Sequence, residues 1–192
     1  DVLTWSVSSP ASSGAATVSG TGASPSTFTY APDADFNGSD SFAVEVSDGN
    51  LTDVVTVNVT VTNLNDAPVI GQGAGPLAVT MSEDGNPTAW VAPELNATDV
   101  DVGDVLTWSV SSPATSGNAT VSGTGASPPI FDYVPDADFN GSDSFAVQVS
   151  DGNQTDVITV NVTVTAVNDA PVITQGAGPL SKSVAEEGTA TW

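Results

Sequence analysis

Nearly all the chemistry available to this chain sits in loops rich in carboxylates. One loop is Asp99-Val-Asp101-Val-Gly-Asp104. A second is Pro135-Asp136-Ala-Asp138-Phe-Asn-Gly-Ser-Asp143, matched earlier by Asp33, Asp35 and Asp40. A third is the short Asn168-Asp169-Ala-Pro, matched by Asn65-Asp66. The pair Glu83-Asp84 is echoed by Glu186-Glu187, and Asp151 lies in a Ser-Asp-Gly-Asn turn. Carboxylates spaced Asp-x-Asp repel one another, and an extended loop can aim both at one centre. A hard cation relieves that repulsion: Ca²⁺ takes about six to eight oxygens at roughly 2.3–2.6 Å, with Asn and backbone carbonyls as neutral ligands. The chain has no His and no Cys, which leaves zinc and copper without their usual donors. Mg²⁺ fits less well, because it prefers few carboxylates and several waters. Paired carboxylates also serve glycoside hydrolysis. These pairs, however, recur once per repeat, and an enzyme rarely needs a row of identical active sites. The expectation is a protein that is not an enzyme.

The elements that must hold these loops are repeated. Residues 1–64 match 104–167 at 53 of 64 positions without a gap, a period of 103 residues. Such a period marks a tandem array. The expected domains are 1–64, the last two-thirds of one unit; 65–167, a complete unit; and 168–192, the opening of a third. With no initiator Met and ends that fall inside units, the chain reads as a slice of a longer protein. Within a unit, Leu106, Trp108 and Val110 alternate with polar residues, as do Phe145, Val147 and Val149, and Ile158, Val160, Val162 and Val164. That period of two predicts half-buried strands. Further strands are expected over 77–82, 88–91, 119–122 and 130–134, separated by Gly, Asn and Asp turns. About seven short strands per 100 residues and no helical pattern predict an all-β chain of tandem seven-stranded Greek-key (Ig-like) β-sandwiches. Trp5 and Trp108 fall on the inward face and are expected in the cores.

Composition narrows the partners. There are 23 acidic residues and one basic residue, Lys182, for a net charge of −22. Nucleic acid is excluded, since phosphate binding needs Lys and Arg. Docking on anionic lipid is disfavoured. No apolar run approaches the roughly 20 residues of a membrane span, so no direct insertion is expected. Without cysteine no disulfide holds the units, and about 100 residues suffice for a core.

These residues resemble the bacterial cadherin-like repeat family of long cell-surface adhesins and matrix proteins. The resemblance spans the chain. It rests on Val167-Asn-Asp-Ala-Pro-Val172, Ala97-Thr-Asp-Val-Asp101 with Gly103-Asp104, Tyr133-Val-Pro-Asp-Ala-Asp-Phe-Asn-Gly-Ser-Asp-Ser-Phe145 and Val149-Ser-Asp-Gly152. It implies cadherin-like sandwiches with calcium at the junctions between units. The first junction would use Asp33 and Asp35 of the leading unit, Asn65 and Asp66 of the linker, and Asp99, Asp101 and Asp151 of the following unit, with Asp104 of the same loop a further candidate ligand. The second would use Glu83 or Asp84, Asp136, Asp138, Asn168 and Asp169. The Asn-Asp-Ala-Pro linker is poorer in acids than that of animal cadherins, and one or two ions per junction are expected.

The leading expectation is a structural spacer in a secreted or surface-displayed adhesin or extracellular fibre, stiffened by Ca²⁺. Its partners would be neighbouring repeats and other copies in a fibre. The alternatives are a filament subunit joined head to tail by strand donation, and a glycan- or protein-binding sandwich. Eight Asn-x-Ser/Thr sequons, at Asn37, Asn50, Asn58, Asn96, Asn118, Asn140, Asn153 and Asn161, are candidates for glycosylation. Duplication and abundant Ser and Thr account for most of them.

Overall fold

The computed structural model describes residues 1–174 and 178–189. Among these there is no helix, and every regular element is a strand. Residues 1–64 form β1 (Thr4–Ser9), β2 (Gly14–Thr21), β3 (Thr27–Pro32), β4 (Gly38–Ser47) and β5 (Thr52–Val61), in the sheet order β3-β2-β1-β4-β5. Residues 65–167 form β6 (Val69–Ile70), β7 (Leu77–Ser82), β8 (Ala97–Thr98), β9 (Thr107–Ser112), β10 (Gly117–Thr124), β11 (Ile130–Pro135), β12 (Gly141–Ser150) and β13 (Thr155–Thr165). Their main sheet runs β11-β10-β9-β12-β13-β7, with β6 and β8 paired separately.

The sheet curls because β10 changes partner. Residues 117–122 pair with β11, whereas Gly123 and Thr124 pair with β9. Gly123 sits at the switch with φ +110°, and a Cβ there would run into the Pro129 ring. A glycine is needed both for that dihedral and for that approach. The curl folds β10–β11 over β9-β12-β13 and encloses a core. The period of two then divides the faces: Phe145, Val147, Val149, Ile158, Val160, Val162 and Val164 are all at most 3 % exposed. Trp108 is buried with them, its indole N–H donating to Gly125 O at 2.8 Å. Trp5, its counterpart, is half-buried.

The segment 65–103 closes this core. It contributes buried Ile70, Met81, Leu95 and Ala97. β7 lies parallel to β13, with Leu77 opposite Val160 through Ser82 opposite Thr165. One expected strand is corrected: residues 88–91 form no strand. Trp90 instead packs its ring on Phe131 and Tyr133, at centroid distances of 6.0 and 5.7 Å, and that contact replaces the alternation a strand would show. The two-residue strands β6 and β8 are too short to leave a period in the sequence.

Candidate metal centre

The loop 99–104 follows β8 directly and leads into β9 through Val105 and Leu106, at the same tip of the sandwich as the 151–154 turn between β12 and β13. Carboxylate oxygens of Asp99, Asp104 and Asp151 lie there within 4.8 Å of one another. Asp101 is 7 % exposed and has a different duty: its Oδ2 accepts the backbone N–H of Asp66 at 2.7 Å. Its own N–H donates to Asp99 Oδ1 at 3.0 Å, which sets the loop's curvature.

The linker is gripped by the same tip. Asn65 donates its amide to Asp151 Oδ2 at 2.8 Å, and Asn65 Oδ1 accepts from the Asn153 amide at 2.9 Å. Gln154 Nε2 donates to Asn65 O at 2.7 Å. Asp151 is in turn fixed by the backbone N–H groups of Asn153 and Gln154, both at 2.6 Å from Oδ1. The Gln154 backbone first, and the Asn65 amide next, hold its carboxyl below its ordinary value.

Two properties of the cluster call for a cation. Asp99 Oδ2 is buried without a hydrogen-bond partner, a costly state for a charged oxygen. The Asp104 carboxyl is pushed up from its ordinary value, first by loss of water and then by the charges of Asp101, Asp99 and Asp151. An oxygen-only donor set with an orphaned carboxylate oxygen and mutual repulsion fits Ca²⁺.

The remaining candidates fall in two places. Asp33 and Asp35 are not in the cluster. They line a cleft with Phe36, Asn37, Leu64 and Asp66, so Asp66 faces that cleft while its backbone is tied to Asp101. At the other end of 65–167, Glu83 Oε1 accepts the Val167 N–H at 2.6 Å and Glu83 Oε2 accepts the Asn140 amide at 3.4 Å. The Asp169 carboxyl is raised there, first by the charge of Asp84, then by desolvation, Asp138 and Glu83. Asn168 donates to Asp169 O at 3.1 Å, repeating the Asn65-to-Asp66 bond of 2.8 Å. Asp136 begins the turn in which Asp138 adopts φ 59°, and Asp35 adopts φ 60° at the matching place. Positive φ is uncommon outside glycine, and Asp tolerates it better than most residues.

Gln154 and Asn153 carry no charge, so a search for acids passes over them, and Asn153 stands out in the sequence only as a sequon and as the last residue of a turn. A signal is nonetheless available: Ser-Asp-Gly-Asn is a turn, and turn amides reach neighbouring backbone. Asp143, by contrast, belongs to an acidic loop by sequence but serves the fold. It is 6 % exposed and accepts from Thr115 N, Ser116 N, Ser144 N, Thr115 Oγ1 and Tyr133 Oη at 2.8–3.0 Å. Burial alone would raise its carboxyl; the Thr115 and Ser116 N–H groups outweigh this and bring it to about 2. All eight sequon asparagines are exposed.

Comparison with known proteins supports this architecture. The family model described as "Bacterial cadherin-like domain" matches residues 65–166, and that described as "Bacterial Ig domain" matches 1–60. Among solved structures, protocadherin gamma B2 extracellular cadherin domains 1–5 aligns with TM-score 0.51 and 15 % identity, over 87 % of this chain and 34 % of that one. Human protocadherin-24 EC1-2 aligns with TM-score 0.47 and 16 % identity, over 88 % and 83 %. An endo-fucoidan hydrolase of glycoside hydrolase family 107 aligns with TM-score 0.37 and 24 % identity, over 88 % and 24 %. The chain thus spans about a third of the first of these structures. No curated protein matches. Among the described residues no helix is long and apolar enough to cross a membrane. With a cadherin-like model covering more than half its length and an Ig/cadherin-like sandwich as its fold, the chain belongs to the bacterial cadherin-like domain family.

Proposed function

We propose that these repeats are extender segments of an extracellular adhesin or fibre, and that Ca²⁺ at the junctions converts a flexible string of sandwiches into a stiff rod. The observation that carries this reading is the position of the acid cluster. The linker residues Asn65 and Asp66 are hydrogen-bonded to Asp151 and Asp101, the neighbours of a buried carboxylate oxygen that has no partner. An ion held by Asp99, Asp104 and Asp151 would therefore stabilise the grip on the linker as well as the cluster itself. Asp33 and Asp35, sharing a cleft with Asp66, would complete the coordination from the leading unit. Glu83, Asp84, Asp136, Asp138, Asn168 and Asp169 would serve in the same way at the second junction.

Extracellular modules bind calcium at roughly 10⁻⁴–10⁻³ M. Binding at 100–1,000 times Kd stabilises the ordered state by about 3–4 kcal/mol. The role is mechanical rather than catalytic, and the carboxylates act as ligands. The test is a calcium titration of the chain followed by small-angle scattering and thermal melting. Millimolar calcium should lengthen the particle and raise the melting temperature, and Asp99→Asn with Asp104→Asn should remove both effects. If neither quantity moves in the native chain, the loops are solvated turns and the clamped rod is wrong.

A further inference from the structure

Residues 65–167 hold one full 103-residue period, so the edges of their sheet belong to the repeat itself. β11 forms one of these edges: it pairs with β10 and, among the described residues, with no other strand. The phase of that pairing is fixed by its end. Asp136 N–H donates to Ser116 O at 2.9 Å, one step beyond the pair of Pro135 with Gly117. Bonded pairs alternate along an antiparallel ladder. Ile130, Asp132 and Val134 therefore bond to β10, and Phe131 and Tyr133 turn their N–H and C=O groups to the open edge. Such an edge is a template for another strand, and near-identical repeats offer one another matching strands.

Each outward position has one of its two groups already engaged. The Trp90 indole N–H donates to Phe131 O at 3.4 Å, while its ring packs on Phe131 and Tyr133. Asp132 Oδ1 accepts the Tyr133 N–H at 2.9 Å. Pro135 has no N–H to offer. The exposed carboxylate also acts by charge. Were two copies of β11 to pair antiparallel about Asp132, Phe131 would face the partner's Tyr133. The two Asp132 side chains would then lie directly opposite, where like charges destabilise a pair. The two copies within the chain point to the same strand. β11 differs from β3 at three of six positions, Thr27/Ile130, Thr29/Asp132 and Ala31/Val134, and all three are exposed in the second copy. Over 52–61 and 155–164 only Val55 and Ile158 differ. Divergence is concentrated on the edge strand, which lowers the match between edges of successive units.

We propose that Trp90, Asp132 and Pro135 guard the free edge of β11 against pairing with the same strand of a second copy, so that units built from nearly the same strands stay separate. Trp90 occupies the acceptor at Phe131, Asp132 occupies the donor at Tyr133 and adds a repelling charge, and Pro135 ends the ladder. An isologous pair would meet every guard twice, once from each copy.

The test is sedimentation velocity of the 192-residue chain in chelator between about 1 and 100 μM, with the native chain as baseline. Chelator removes calcium bridging as a cause of association, so the outcome is independent of the metal reading. Trp90→Phe keeps the ring contacts and removes the indole donor; Asp132→Thr installs the residue of the first copy. The double variant should dimerise at a concentration about ten-fold or more below that of the native chain, with each single variant between. The chain has no cysteine, so Asp132→Cys locates the contact. Combined with Trp90→Phe it should form an intermolecular disulfide on oxidation, since directly opposed residues lie within disulfide reach. Ser109→Cys on the outward face of β9, also with Trp90→Phe, should not. A double variant that sediments like the native chain at every concentration overturns the proposal, and so does equal crosslinking at the two positions. If Trp90→Phe fails to fold, Asp132→Thr decides alone, and no rise in its association over the native chain overturns the proposal.

Discussion

The inward faces of β5 and β13 carry almost the same residues in two surroundings. The buried cluster of 65–167 contains fifteen hydrophobic residues, while that of 1–64 contains only Val18, Phe42 and Val44. Trp108 is 1 % exposed and Trp5 is half-buried; Tyr133 is 1 % exposed and Tyr30 is half-buried. The strands, their register and even the bulge beside β9 or β1 are the same in both copies. The difference is the covering segment that brings Ile70, Met81, Leu95 and Ala97 over one core. Alternation therefore forms the sheet, and closure by a segment that precedes it in the chain forms the core.

The largest test of this contrast removes the two tryptophans in turn. Trp108→Ala should cost about 3–5 kcal/mol, as for a fully buried aromatic residue. Trp5→Ala should cost less than half of that. Thermal melting should show two transitions, the lower belonging to 1–64, and each variant should shift its own transition. Equal losses would mean that the two cores are equally closed in solution.

Acid is the next probe. In both copies a buried Asp ties the loop after β1 or β9 to a tyrosine hydroxyl: Asp40 to Tyr30 at 2.9 Å and Asp143 to Tyr133 at 2.9 Å. Both carboxyls are held below the ordinary value of 3.8. A carboxyl lowered by folding contributes stability that is fully present above its unfolded value and is lost as pH falls through the folded one. For Asp143 that window runs from about 3.8 down to about 2. Chemical denaturation should therefore show falling stability across this window in both copies. Asp143→Asn should flatten the fall in the second copy, at a cost of about 1–3 kcal/mol for the donors left unpaired. Asp104 and Asp169 run opposite in sign, since their folded values are raised. Their ionisation opposes folding, so protonating them as pH falls toward the carboxylate range should strengthen the junctions, and bound calcium should erase that trend.

The smallest effect concerns one of the few positions where the copies differ. Gln154 holds the linker carbonyl of Asn65, and the first copy has Leu51 there, 75 % exposed. Gln154→Leu should weaken the hold on the linker by about 1 kcal/mol. It should lower the apparent calcium affinity several-fold in a titration, with the core transition unmoved. An unchanged affinity would detach the linker grip from the metal centre.

Much of this is legible from residue types alone. Alternation locates β9, β12 and β13, because a half-buried strand has no other way to divide its faces. The acids of 99–104 are legible as a group, but not their division of labour: Asp99 and Asp104 meet Asp151, while Asp101 is spent on the Asp66 N–H. Residues 88–91 mislead as a strand, since Trp90 is held by ring contacts that no period records. The duty of Asp143 is hidden by its company: it sits in an acidic loop, yet it shares the inward face with Phe145 and Val147. The pairing of Asp66 with Asp101 spans 35 residues and depends on how the curled sheet returns the chain to its tip.

The parallel pairing of β7 with β13 also decides how a unit meets force. β7 lies near the entry of the repeat and β13 forms its exit, and the two run in the same direction for six residue pairs. Tension on the two ends draws β7 one way and β13 the other, so they must slide along their common axis. The bonds of that ladder then resist together in shear, whereas a hairpin pulled from its open end unzips bond by bond. Rupture under load depends on the unfolding barrier rather than on equilibrium stability, and this topology places the pair that must slip between the two points of pull.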